Sequence, residues 1–266
     1  MQKRWIVIFN RSQGVVNNVF CTAYVYLNSY GIIKVMGNVV DILMIALAAV
    51  TAASLQLGTG TLLLLYHETL GRKIPKRTKK ITWGYILGAF LFAMLELATA
   101  ALVILVSAGG ALSNEALIIV SGLAVLMAIL VLLCYYRRGK NAMLWVPNFV
   151  AKYLKKRANK ADTVAEGIAL GMTTELGELP FMLVLIVIAA NSLINLPRAE
   201  IILAIAGYAL IIVMPLLITK VLIKNGENLV NIQKARVKNK TFLKIFTSVC
   251  YVAMAAFLIA FKVMER

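Results

Sequence analysis

Apolar residues fall in long runs separated by short basic or polar segments. Six of these runs reach the length needed to cross a bilayer core, about 20 residues as a helix. They cover Asp41–Tyr66, Trp83–Ser107, Ala116–Tyr136, Val164–Ala190, Ile201–Ile223 and Phe242–Phe261. The pattern predicts an all-α, polytopic membrane protein. Before the first run, Val15–Ile33 is semi-apolar and carries Asn17, Asn18, Asn28 and Ser29. It reads as a weak extra span or a Tyr-rich interfacial segment. Its Asn interruptions argue against a signal peptide, and Met36 is an alternative start. The chain thus divides into an N-terminal segment (1–40), a first membrane half (41–136), a basic linker (137–162) and a second membrane half (163–266).

Composition agrees with this reading. Hydrophobic residues make up 61% and mean hydropathy is +0.86, beyond the apolar share of soluble domains. The net charge of +17 would suit nucleic acid, yet its distribution does not. The cations collect in Arg72–Lys80, Arg137–Lys160 and Lys224–Lys240, while the two short loops on the other side hold only Arg198. The positive-inside rule then puts the three basic segments in the cytoplasm and the C-terminus outside. No soluble domain is left to read a nucleic-acid groove. Val146, Phe149, Val150, Tyr153 and Leu154 among the linker's cations suit either an anionic membrane surface or a solvated linker. Cys21, Cys134 and Cys250 are scattered and His67 is the single histidine, so neither a disulfide framework nor a thiolate or imidazole metal site is indicated. No nucleophile–base pair, phosphate loop, nucleotide motif or cofactor motif is present, which argues against an enzyme.

The two membrane halves resemble each other. Ser54–Leu65 aligns with Thr173–Val184, so that Leu57-Gly58 meets Leu176-Gly177 and Gln56 and Thr59 meet Glu175 and Glu178. Gly84-Tyr85 pairs in the same way with Gly207-Tyr208. Three spans per half would make the second half enter from the opposite side. That is an inverted repeat of three helices, which in transporters places the substrate site near the midplane where broken helices meet. Breaks are expected at Gly58 and Gly60 and at Gly177 and Pro180.

Candidate chemistry lies at the centre of the fourth run. Glu175 and Glu178 are three residues apart and share a helix face. Charges at that depth are costly and mark ion or proton pathways often enough to be read as functional by default. Pro180 cannot donate to the Leu176 carbonyl, and such a freed carbonyl beside two carboxylates would line a cation site with oxygen. Glu96, mid-span in the second run, is a third carboxylate. No Lys or Arg occupies the middle of a span, and Lys220 lies near enough to an end to snorkel. Carboxylates without a cationic partner must be protonated or hold a cation. Glu175, Glu178, Glu96, Gln56 and Thr59 offer hard oxygen donors, suited to calcium, magnesium, manganese or ferric iron. Alternatively, Glu175 and Glu178 share a proton and couple the movement of another substrate.

Together the two motifs resemble the lysine-exporter superfamily of three-plus-three transporters. Within it they are nearest the calcium/manganese cation exchangers, which carry Glu-hydrophobic-Gly-Asp-Lys/Arg-Thr/Ser in each half. Glu175-Leu176-Gly177-Glu178 follows the first four positions with Glu for Asp, and Leu179 and Pro180 depart from the last two. Gln56-Leu57-Gly58-Thr59-Gly60-Thr61 keeps Leu-Gly and the final Thr without the acids. A weaker resemblance is to iron permeases with Glu-x-x-Glu, Thr174 standing where their Arg would be. Related thiol-electron carriers are set aside, because neither motif contains Cys. The resemblance implies a secondary transporter that moves a divalent metal ion against protons, with Glu175 and Glu178 as metal ligands. The alternatives are a proton-coupled exporter of small solutes, for which an aromatic and apolar site would speak, and an accessory subunit of a larger membrane complex. The bilayer, the transported cation and protons are the expected partners, alongside a homo-oligomer or a larger complex, and no resident cofactor is expected.

Overall fold

A computed structural model describes residues 38–55, 57–67, 76–135, 163–223 and 238–263, with isolated positions between them. The chain separates into two compact units, Met1–Val40 and Asp41–Arg266. Apart from residues 38–40, every described residue belongs to the second unit. The Val15–Ile33 stretch, Gln56 and most of the linker lie outside the described residues.

All regular structure among the described residues is helical. In chain order the helices are α1 (Asn38–Ala53), α2 (Leu57–His67), α3 (Lys76–Ala108), α4 (Asn114–Leu130), α5 (Val164–Asn195), α6 (Arg198–Leu222) and α7 (Lys240–Leu258). π-helical turns at Val131–Tyr135 and Ile259–Val263 extend α4 and α7. Five helices are long and apolar enough to cross a membrane: α3, α4, α5, α6 and α7. Large apolar side chains such as Leu102, Val106, Ile119, Leu203 and Phe242 are exposed along them, as hydrocarbon contact requires. The architecture fits an integral, multi-pass membrane protein.

Local sequence explains the helix starts. Thr163 and Glu166 form a capping box at α5: the Thr163 hydroxyl accepts from the Glu166 amide at 3.2 Å, and Glu166 Oε2 accepts from the Thr163 amide at 2.9 Å. Two amides that no helical carbonyl can reach are thereby satisfied. Ser113 caps α4 by accepting from the Ala116 amide. At α3 the helix starts at Lys76, two turns before the apolar run, and its added residues carry the exposed cations Lys76, Arg77, Lys79 and Lys80.

The expected first span is two helices. α1 ends at Ala53, where the Ser54 amide contacts the Val50 and Thr51 carbonyls and the Leu55 amide turns back to Ala52. The Ser54 hydroxyl also donates to the Thr51 carbonyl at 2.6 Å, so side chain and backbone together close the last turn. The break therefore falls before Gly58 and Gly60, which belong to the first turn of α2. In the second half, α5 runs without interruption through Gly177 and Pro180, where an opening was expected. Leu176 and Pro180 lie on the exposed stripe of α5, whereas Glu175 and Glu178 are buried. The helix thus shows no opening at Pro180 beside the acid pair.

α5 is the central helix: 61% of its apolar window is buried, against 28% for α3, α4 and α6. Its most extensive partner is α3, and glycines let the two backbones touch. Added Cβ atoms at Gly84 and Gly88 would strike the Val164 and Ile168 carbonyls, and one at Gly171 the Tyr85 carbonyl. One at Gly167 would lie 2.5 Å from the Ile81 carbonyl oxygen. Each helix thus presents a small-xxx-small pair, the packing device of membrane helices. Contacts advance together along both chains, so α3 and α5 run parallel.

The same crossing fixes the two ends of the bundle. At one end Arg77 donates to the Ala161 carbonyl at 2.8 Å, and the Lys220 ammonium sits over the Trp83 ring. The starts of α3 and α5 and the end of α6 therefore lie at one end of the bundle. At the other end the Leu112 amide donates to Asn191 Oδ1 at 2.8 Å, and Asn195 Nδ2 approaches Asp41 at 3.5 Å.

Candidate functional site

The Gly84–Val164 crossing serves as a depth marker. At 1.5 Å per residue, Glu96 lies about 18 Å beyond it along α3, and Glu175 and Glu178 about 17 and 21 Å along α5. The three carboxyls thus share a level near the middle of the bundle and act electrostatically on one another. Glu175 and Glu178 are 3% and 4% exposed, which makes them wholly interior. Both oxygens of Glu96 and Oε2 of Glu175 are shielded from solvent and have no hydrogen-bond partner among the described residues. No Lys, Arg or His is among the groups acting on either acid.

Three fully buried tyrosines act electrostatically on the acids, and they are among the largest enclosed side chains of the protein. Tyr85 on α3 shares hydrogen bonds with the Thr61 side chain and with that of Thr174, the residue before Glu175. Tyr208 on α6 interacts electrostatically with Glu96 and Glu175, and its hydroxyl has no hydrogen-bond partner among the described residues. Counting back from Lys220, which sits over Trp83, places Tyr208 about 18 Å from that end at 1.5 Å per residue, level with the acids. Tyr251 on α7 faces Glu178 and donates to the Phe181 carbonyl.

The broken crossing meets the same region. Ser54, at the break, pairs with Thr247 at 2.8 Å, one turn of α7 before Tyr251. Thr59 and Thr61 are buried in the first turns of α2, whose early amides have no carbonyl of their own helix to bond. Of the residues expected in the site, Glu96, Glu175 and Glu178 come together. Thr59 lies on α2, which packs against α5, and Gln56 is outside the described residues. Among the described residues no three His, Cys, Asp or Glu side chains are grouped closely enough to hold a metal ion.

Tyr85, Tyr208 and Tyr251 were not among the expected site residues. Their signal was present: a hydroxyl in the middle of an apolar run needs a partner when buried, and Gly84-Tyr85 and Gly207-Tyr208 stand at matching places in the two halves.

No family model, curated protein or solved structure matches the chain. The site therefore stands on its own geometry.

Proposed function

We propose that the chain is a proton-coupled secondary transporter with Glu96, Glu175 and Glu178 as its coupling site. The observation that carries this reading is the burial of Glu96 and Glu175 at mid-depth with unpartnered oxygens and no cation beside them among the described residues. Ionised carboxylates so placed are too costly to persist alone, so each must take a proton or a cation. The buried phenols that act electrostatically on these acids favour protons as the occupants and a small solute as the cargo. A divalent cation moved against protons is the second reading. It is favoured by the shared buried face of Glu175 and Glu178 and by Thr59 as a further oxygen donor.

The proposed architecture has six crossings in two inverted halves, the first crossing being α1 and α2 in series. Asp41 at the start of α1 meets Asn195, and Tyr66 near the end of α2 meets Thr82 at 3.0 Å. These contacts join opposite ends of the bundle, which supports a full crossing. The sequence match of Gly84-Tyr85 with Gly207-Tyr208 supports the repeat. The break near Ser54 has no counterpart in α5, so the halves differ where the first is discontinuous. The likeness to three-plus-three exchangers supports the same class, with the basic end in the cytoplasm.

Purified protein in liposomes loaded with a pH-sensitive dye tests this reading. Proton movement driven by a gradient of a solute or divalent cation is expected, and it should be lost in Glu178→Gln. Absence of any solute- or ion-driven proton movement across a broad panel would favour an accessory subunit.

A further inference from the structure

Near the middle of the bundle, both oxygens of Glu96, Oε2 of Glu175 and the hydroxyl of Tyr208 are shielded from solvent and lack a hydrogen-bond partner among the described residues. An ionised carboxylate only accepts, so the phenol is the one group of the set that can always donate. Buried polar groups are nearly always paired, and orphans of complementary kind at one level call for an explanation. Register makes Glu96 and Tyr208 neighbours. α3 packs against α6, and the Lys220 ammonium over the Trp83 ring aligns the two helices. From that contact Glu96 lies about 20 Å along α3 and Tyr208 about 18 Å along α6, at 1.5 Å per residue. Glu96 also acts electrostatically on Tyr208, ahead of Glu175 and Tyr251. Glu175 and Glu178 on α5 and Tyr251 on α7 are the other titratable groups acting on the pair.

The three buried tyrosines differ in what their hydroxyls do. Tyr251 donates to a backbone carbonyl, and Tyr85 shares hydrogen bonds with two threonines. Of the three, Tyr208 alone has no hydroxyl partner among the described residues. Its side chain also borders a cavity of about 310 Å³ between α1 and α6, so one flank is not packed and the ring has room to turn. A phenol kept only to fill space would serve better as phenylalanine, since a buried hydroxyl without a partner costs stability.

From these features we infer that Tyr208 is the hydrogen-bond donor for Glu96 in its ionised form. When Glu96 has given its proton away, the phenol turns to it and donates to a carboxylate oxygen. The phenol keeps its own proton, and no covalent bond is made or broken. Hydrogen bonds to an ionised acceptor are roughly twice as strong as neutral ones, so this contact lowers the cost of a bare charge at this depth. With Glu96 neutral the pair parts, as in the structure, because a neutral carboxyl tolerates lost hydrogen bonds better than a charged one. Tyr208 thus acts through Glu96 and is a positioning residue. Its role in coupling rests on the transport reading, while the contact itself is measured without transport.

The test follows the protonated-carboxyl stretch by infrared spectroscopy on the full chain in lipid nanodiscs as pH is raised. The Glu96 band is the one missing from Glu96→Gln. In Tyr208→Phe this band should persist to a pH about one unit or more above that of the wild type, since the ionised form has lost its donor. At a pH where Glu96 is neutral, Tyr208→Phe should melt at or above the wild type, because no hydrogen bond of that state is lost. A band unmoved in Tyr208→Phe would overturn the inference. So would a Tyr208→Phe protein that melts lower or fails to fold, which would show the hydroxyl to be a structural contact. A Glu96 carboxyl that stays in one form at every pH would overturn it too. A shifted band with no proton movement in the liposome assay would remove the transport reading and keep the pair. Proton movement without the shift would do the reverse.

Discussion

Tyr251 on α7 donates its hydroxyl to the backbone carbonyl of Phe181 on α5, three residues beyond Glu178. One turn earlier on α7, Thr247 pairs with Ser54 at the break between α1 and α2. A single helix thereby ties the discontinuity of the first half to the acid-bearing helix of the second.

Tyr251→Phe keeps the ring and removes that tie. Interhelical hydrogen bonds in membranes contribute about 0.6–2 kcal/mol, so a modest fall in thermal stability in detergent is expected, with folding retained. A melting temperature equal to the wild type would show that the contact contributes nothing.

Glu178→Gln replaces a buried acid by an amide of the same shape. Burying the amide costs less than burying a carboxylate, so thermal stability should stay equal or rise while proton coupling disappears. Normal coupling in Glu175→Gln and Glu178→Gln proteins would make the pair structural.

Gly88→Val would force a branched side chain against the Ile168 backbone. Overpacking of this kind costs about 1–3 kcal/mol or more, and here the neighbour is a helix backbone that cannot step aside. The yield of folded monodisperse protein should fall sharply. Gly122→Ala serves as the control, because its Cβ meets nothing within 4 Å; it should be neutral or slightly stabilising. Equal yields of the two variants on gel filtration would refute the close α3/α5 crossing.

Orientation is open to labelling in a cysteine-free background. Cysteines at Lys79 and Lys156 should react with an impermeant maleimide only after permeabilisation, and one at Ser113 should react on intact cells. The reverse pattern would invert the protein in the membrane.

Hydropathy alone located α3 to α7 to within a turn or two, because an apolar run of that length has no other low-cost arrangement. The interior place of Glu175 and Glu178 was legible too: acids three apart in such a run must share a face, and that face cannot meet lipid. What the sequence could not show was how side chains from different helices meet. The depth match of Glu96 with Glu178 depends on the register set by Gly84, Gly88, Gly167 and Gly171. That register follows from backbone contact between two helices, which no local pattern encodes.

The breaks illustrate the same division. Glycine and proline marked Gly58, Gly60 and Pro180 as weak points, yet α5 continues through Pro180 and the first crossing parts at Ser54. Weak points lower the cost of a break, while neighbouring groups decide where one occurs. At Ser54 a hydroxyl closes the turn and Thr247 holds it. Pro180 itself is exposed, so continuing the helix through it disturbs no buried packing. Composition and periodicity thus determined the helices, their apolar faces and the buried acids, since these depend only on transfer of each segment out of water. The approach of buried tyrosines to the acids and the common depth of the carboxyls were decided by tertiary packing, because they arise from residues far apart in the chain that only the docked helices bring together.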